Sequence, residues 1–203
     1  MDKLMQRLVL ASNNQGKIGE IKALLSGIEV LAQTEFGVPE CPEPALTFVE
    51  NSLLKARHAA TYCQLPVIAD DSGLIVHALN GQPGVRSARY AGDNASDQDN
   101  NDKLLSELSL IEREQRLAQF VCVMVLLRHA DDPCPLIAQG VWQGEIAMTP
   151  QGDNGFGYDA LFWLPELNCT AAQLSNTQKN QLSHRGQALR QLRNEILKQT
   201  LSF

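Results

Sequence analysis

No stretch of this 203-residue chain is apolar for long enough to cross a bilayer. The longest unbroken apolar run is Phe120–Leu127, against the roughly 18 to 20 residues that a membrane helix needs. After Lys3 and Arg7, the apolar stretch Leu8–Ala11 is too short for the core of a secretory signal. Paired cysteines are missing as well. Cys41, Cys63, Cys122, Cys134 and Cys169 are odd in number, widely spread and without a Cys-x-x-Cys, and His58, His77, His129 and His184 are equally scattered. That pattern offers neither a disulfide framework nor a zinc site, so a reduced, cytoplasmic protein is expected. A surplus of positive charge is also lacking. The net charge is −6 with both signs mixed along the chain, which leaves no evident cationic face for nucleic acid or a membrane as partner. There is no internal repeat and no low-complexity tract. What is present is 44% hydrophobic, and a chain of this length buries about seven-tenths of its surface on folding. One domain with a core of its own is the expectation.

Strand and helix patterns interleave along the chain. Gln6–Ala11 reads as a short buried strand, followed by the polar turn Ser12–Lys17 and by a helix in which Ile18, Ile21, Leu24 and Leu25 recur at helical spacing, with Gly27 as a stop. Glu29–Ala32 reads as a second strand, and Pro39, Pro42 and Pro44 mark an irregular segment. Ala45 to about Gln64 reads as a helix with an apolar stripe of Leu46, Val49, Leu53, Ala56 and Ala60 and a polar stripe of Thr47, Asn51, Lys55 and His58. Val67–Ala69 is a buried strand ending in Asp70-Asp71-Ser72-Gly73, with Leu74–Leu79 continuing the sheet. Residues 118–128 and 136–147 read as long paired strands about the turn at Asp131–Pro133, and Ser183 to Lys198 as a closing helix. This order places the chain in the α/β class with a mixed sheet.

Four constellations could carry chemistry. Ala11–Lys17 joins a strand to a helix start, where free amides, the helix dipole and a lysine attract anions. It is not a P-loop, because Ala11 stands for the first glycine and Ile18 for the hydroxyl residue; a solvated turn describes it equally well. Asp70-Asp71 sets two carboxylates side by side, and a divalent cation would relieve their repulsion, though an ordinary aspartate turn is the plainer alternative. Asp71-Ser72-Gly73 also spells the aspartic-protease triplet, but that chemistry needs two such carboxylates sharing a proton. Glu43 with Thr47, Asn51 and Lys55 can reach a metal and a phosphate if the stripe faces a cleft, or simply face water. Gly155-Phe156-Gly157-Tyr158-Asp159, with Lys179 and Ser183-His184-Arg185, can stack on and hydrogen-bond a base; alone, His184-Arg185 also reads as the start of a helix. The acidic run Asp93, Asp97, Asp99 and Asp102 lacks the glycine and the glutamate of a calcium loop and reads as solvated surface.

Taken together and in this order, the segments resemble the inosine/xanthosine triphosphate pyrophosphatase family, which clears non-standard purine nucleoside triphosphates. The matches are Ala11-Ser12-x-Asn14-x-Gly16-Lys17, Thr47-Phe48-x-Glu50-Asn51 with Lys55, Ala69-Asp70-Asp71-Ser72-Gly73-Leu74, Pro83-Gly84-x-x-Ser87-Ala88-Arg89-Tyr90, Gly155–Asp159, Lys179 and Ser183-His184-Arg185-Gly186. They span nearly the whole chain. Two departures stand out: Glu43-Pro44-Ala45-Leu46 precedes Thr47-Phe48 where the family usually has Glu-Thr-Gly, and Ala160 stands where a proline commonly follows Tyr-Asp.

The resemblance implies a single domain over 1–203, with a mixed twisted sheet, flanking helices and two lobes around a central active-site cleft. It implies a homodimer, Mg²⁺ as cofactor, a small nucleoside triphosphate as partner, and the reaction NTP + water → NMP + pyrophosphate. Carried over residue by residue, Ser12, Asn13, Asn14, Gln15, Gly16 and Lys17 wrap the phosphates, with Lys55 on the phosphate chain. Glu43 and Asp71 hold magnesium with Asp70 close by, Asp71 accepts the proton of the attacking water, and Ser72 touches substrate. Phe156, Gly157, Tyr158, Asp159, Lys179, His184 and Arg185 form the nucleotide and base pocket. Two alternatives stay open: a non-catalytic nucleotide-sensing protein, and a pyrophosphatase for other modified nucleotides.

Overall fold

The computed structural model describes residues 7–25 and 27–200; the expected strand start at Gln6 lies outside them. Seven strands are hydrogen-bonded in the order β2-β1-β3-β4-β5-β6-β7: β1 Arg7–Leu10, β2 Glu29–Ala32, β3 Val67–Val76, β4 Leu117–Leu127, β5 Leu136–Ile146, β6 Phe162–Leu164 and β7 Cys169–Thr170. β1 is parallel to β2 and β3, while β6 is antiparallel to β5 and β7. The sheet is therefore mixed, as expected. Among the described residues, five α-helices accompany it: α1 Gln15–Leu24, α2 Phe48–Cys63, α3 Asp97–Glu107, α4 Asn176–Leu182 and α5 His184–Thr200.

The chain divides into two compact units. The first comprises residues 1–71, 122–140 and 185–203, and its two hydrophobic clusters follow from the two-residue period of a strand. Leu8, Leu10, Ile68, Cys122, Met124 and Leu126 cluster with Ile21 and Leu25 beside α1 and with Ala188, Leu189 and Leu192 of α5. The alternate residues Val9, Ala11, Val67, Ala69, Val125 and Leu127 cluster with Ala56, Ala59, Ala60 and Cys63 of α2. One sheet face thus carries α1 and α5, and the other carries α2. The turn after β4 is closed by Asp132, whose carboxylate accepts from the Arg128 guanidinium and from the backbone of Arg128 and Cys134.

The second unit comprises residues 72–121 and 141–184. Its core packs Leu74, Val76, Leu104, Leu108, Phe120, Trp142, Ile146 and Phe162, with the Phe120 and Trp142 rings tilted on Phe162 at 4.5 and 5.2 Å between centroids. Buried Arg116 donates to the carbonyls of Leu108 and Ile111, placing positive charge where the carbonyl end of α3 favours it.

Several elements differ from the sequence reading. Asn14 caps α1, its carboxamide oxygen accepting from Lys17 N at 3.0 Å, so Gly16 and Lys17 belong to the first helical turn rather than to the loop. α2 starts at Phe48 instead of Ala45, because Thr47 caps it and Asn51 holds both polar groups of the Ala45 backbone outside the helix. The expected apolar stripe fails at its first two members: Leu46 is 88% exposed and Val49 37%. Nor do Asp70 to Gly73 form a turn; they continue β3 as extended chain. The unforeseen α4 has a sequence signal, the capping box Ser175-x-x-Gln178.

Candidate active site

In the first unit, the pleat of β3 sends Asp70 and Asp71 to opposite faces. Asp70 follows Ile68 toward α1 and α5. Its Oδ2 lies 3.0 Å from Lys17 Nζ in the first turn of α1 and 3.7 Å from Arg185 Nε in the first turn of α5. Arg185 is buried and also paired with Glu20. Asp71 follows Val67 and Ala69 toward α2, whose polar stripe meets it: Lys55 Nζ is 3.0 Å from Oδ1 and Asn51 Nδ2 is 3.4 Å from Oδ2. Lys55 Nζ reaches Glu43 Oε2 as well, at 3.3 Å, and Ser52 anchors the strand by donating to Ala69 O at 3.0 Å. The stripe on α2 is therefore turned to carboxylates rather than to water alone.

The electrostatics of the two aspartates diverge. Burial works against ionisation of Asp70, but Lys17, Arg185 and Lys55 outweigh it and hold the carboxyl well below the usual carboxylate range. For Asp71 burial wins over Lys55 and Lys17, with Glu43 adding repulsion, and its pKa is raised. Lys55 is nine-tenths enclosed in effect, with only 12% of its side chain exposed. Burial disfavours its charge, yet Asp71, Asp70 and Glu43 raise its pKa and keep it an ammonium. The short link Ser12–Asn14, which joins β1 to α1, is ordered by Asn14 N donating to Ser12 Oγ and by Gln33 donating to Asn13 Oδ1 at 2.7 Å. Among the described residues, no three His, Cys, Asp or Glu side chains are grouped to hold a metal by themselves.

The second unit carries the glycine-rich loop. Gly155 has a positive φ of 81°, and a Cβ there would lie 2.1 Å from Asp159 Oδ2, so only glycine lets this carboxylate fold back over the loop. Asp159 Oδ2 accepts from Phe156 N at 2.9 Å and from Lys179 Nζ at 2.6 Å, and the same ammonium sits 4.8 Å from the centroid of the Phe156 ring. Tyr158 donates to Ser87 O at 2.8 Å, and burial pushes its phenol pKa up, with Tyr90 and Asp97 adding to it. Gly157 N donates to Asp97 Oδ2 at 2.6 Å, and Gly157 O accepts from Asn101 Nδ2 at 3.0 Å. His184 is buried, its ring stacked on Phe120 at 4.7 Å and 11°.

Residues 8–195 match the model of the Ham1 family. The chain belongs to the Ham1 family. It is 56% identical over 190 residues to a dITP/XTP pyrophosphatase of Vibrio cholerae, covering 93% of this chain and 95% of that one. Among solved structures it is similar to a Ham1 protein of Coxiella burnetii, with a TM-score of 0.88 at 49% identity over 96% of this chain and 100% of the other. The Ham1 protein of Staphylococcus aureus follows with a TM-score of 0.85 at 44% identity, over 95% and 99%. Membership bears out the resemblance read from the motifs, and the α/β class with its mixed sheet stands with it.

Within this Ham1 chain, the structure gathers Lys17, Glu43, Lys55, Asp70, Asp71 and Arg185 in the first unit, with Ser12, Asn13, Asn14, Gln15 and Gly16 leading into α1. It places Phe156, Gly157, Tyr158, Asp159, Lys179 and His184 in the second, together with Ser72 directly after Asp71 in β3. Arg185, expected at the base, sits with Asp70 and Glu20. Sequence reasoning missed Glu20, one turn beyond Lys17 on α1. Asp97, expected at the solvated surface, is exposed, and its carboxylate in addition accepts from Gly157 N. A member of the acidic run four residues before Asn101, on one helix face, was the available signal.

Proposed function

We propose that this chain hydrolyses non-standard purine nucleoside triphosphates (dITP, ITP and XTP) to the monophosphate and pyrophosphate. The observation that carries the reading is the Lys55 ammonium shared between Asp71 and Glu43 while a second ammonium, Lys17, stands on Asp70. A triphosphate brings about four negative charges, and phosphoryl transfer is governed by positioning and charge stabilisation. Lys17, at the amino end of α1, and Lys55 are assigned to the phosphates, with Ser12 to Gly16 supplying backbone and polar side chains at the helix start. Asp71 is assigned as proton acceptor: water attacks the α-phosphorus, its proton passes to the carboxylate, and the bond to pyrophosphate breaks. In the metal-free protein burial raises the pKa of Asp71, whereas a cation held beside it would favour the carboxylate that accepts the proton.

The donor set fits magnesium. Two hard carboxylates converge on one ammonium, among the described residues no third His, Cys, Asp or Glu groups with them, and Mg²⁺ takes one or two carboxylates and completes its shell with phosphate oxygens and water. Asp71 and Glu43 are assigned to hold it; Asp70, turned to the other face, is assigned to hold Lys17 and Arg185 in place. When bound, the ion supplies neutralisation of the phosphate oxygens and acidification of water. Phe156 to Asp159, Lys179 and His184 are assigned to the base, where a 6-keto acceptor in place of adenine's 6-amino donor permits selection by a hydrogen bond; Ser72 is assigned a substrate contact. A homodimer acting in the cytoplasm completes the reading, and light scattering at twice the protomer mass checks the first of these.

The test is pyrophosphate release from dITP, ITP, XTP, dGTP and ATP, with and without Mg²⁺. Metal-dependent turnover that favours the first three is expected. Equal kcat/KM across the panel would overturn base selection, and binding without pyrophosphate release would favour a nucleotide sensor.

A further inference from the structure

Asp97 and Asn101 lie four residues apart on α3, hence on one helix face. Capping does not occupy them: Ser96 and Asp99 form the capping box, Ser96 N donating to Asp99 Oδ2 at 2.8 Å. Asp97 and Asn101 instead take both polar groups of one residue, accepting from Gly157 N at 2.6 Å and donating to Gly157 O at 3.0 Å. Water satisfies the backbone of a surface loop without help, so two side chains spent on one glycine fix its orientation rather than merely pair it. The preceding amide, Phe156 N, donates to Asp159 Oδ2, which the Lys179 ammonium holds in turn. Phe156 is thereby fixed by bonds to its own amide and to both polar groups of the next residue. Neighbouring Asn100 braces a second segment from the same helix, accepting from Ala91 N at 2.8 Å and donating to Ala88 O at 3.2 Å. Tyr158 ties that segment to the loop through Ser87 O.

We propose that Asp97 and Asn101 are positioning residues for base selection, clamping Gly157 so that Phe156 and Tyr158 present one fixed surface to the purine. The proposal rests on the reading of residues 155–159 as the base-recognising loop. A base edge displaced by a fraction of an ångström loses the directional bonds on which discrimination depends, so the clamp acts on selectivity more than on turnover.

The experiment compares wild type with Asp97→Ala, Asn101→Ala and the near-isosteric Asp97→Asn in Mg²⁺, reading the ratio of kcat/KM for dITP over dGTP, the melting temperature, and amide exchange at Gly157 by NMR. In folded Asp97→Ala and Asn101→Ala the ratio should fall about tenfold through KM, with kcat within about threefold of wild type and faster exchange at Gly157. Asp97→Asn, which keeps an acceptor oxygen, should recover part of the ratio, and it reads the same quantity should an alanine variant fail to fold. A selective wild type whose ratio is unmoved in the folded variants overturns the clamp alone. A wild type without base preference overturns the reading of the loop, and the clamp with it.

Discussion

Asp70 and Asp71 are consecutive aspartates in one strand, and their surroundings drive them in opposite directions. Asp70 faces α1 and α5, each of which contributes a cation, and its carboxyl stays ionised well below the usual range. Asp71 faces α2, where it shares one ammonium with Glu43, and burial raises its pKa. The difference teaches that the pleat, not the dipeptide, sets the role. Turning the carboxylates to opposite faces removes most of the repulsion that the sequence implies. One becomes an anchor for Lys17 and Arg185; the other is left short of positive charge, ready to meet a cation or a proton.

The comparison breaks most sharply at turnover. Asp71→Asn should lose about three to four orders of magnitude in pyrophosphate release from dITP, the scale of a lost general base together with a weakened metal site, while circular dichroism and melting remain those of a folded protein. In stability the order reverses. Asp70→Asn leaves the buried Arg185 and Lys17 undercompensated and should cost about 3 to 5 kcal/mol in denaturant unfolding, whereas Asp71→Asn should cost less than Asp70→Asn. Equal losses would show that the two faces are not electrostatically distinct.

Acid sharpens the same contrast. Without divalent cations, the stability that Asp70 contributes is present above the unfolded carboxylate pKa of about 3.9 and is lost as pH falls through its depressed native value. Asp71 has the opposite sign: its contribution is present below the unfolded pKa and is lost as pH rises through its raised native value. The stability gap between wild type and Asp70→Asn should therefore narrow on acidification below about pH 4, as urea titrations at stepped pH would record. Smallest is the effect of the ion itself. Mg²⁺ at ten times its Kd should stabilise the nucleotide-free protein by about 1.4 kcal/mol, and Glu43→Gln or Asp71→Asn should abolish the shift while Glu20→Gln leaves it in place.

The central elements were legible because their signals are local. β1, β2 and the long pair β4–β5 follow from apolar runs bounded by turn residues, and α5 from Leu189 and Leu192 at helical spacing. The start of α2 was not, because Asn51 binds the Ala45 backbone and keeps Leu46 outside the helix, a side-chain contact that periodicity does not carry. Nor was the continuity of β3 through Asp70 and Asp71, since buried carboxylates in a strand become tolerable only when Lys17, Lys55 and Arg185 arrive from three helices. The motif residues were readable one by one; the division of Asp70 from Asp71 needed the sheet. Asp97 is the counterexample, for its role depends on a bond to Gly157, sixty residues away.

Hydrolysis of dITP in ¹⁸O-labelled water tests most directly the attack at the α-phosphorus on which the account depends. Mass spectrometry of the products should find the label in the nucleoside monophosphate, as attack at the α-phosphorus requires; label in pyrophosphate or orthophosphate, with an unlabelled monophosphate, would contradict it.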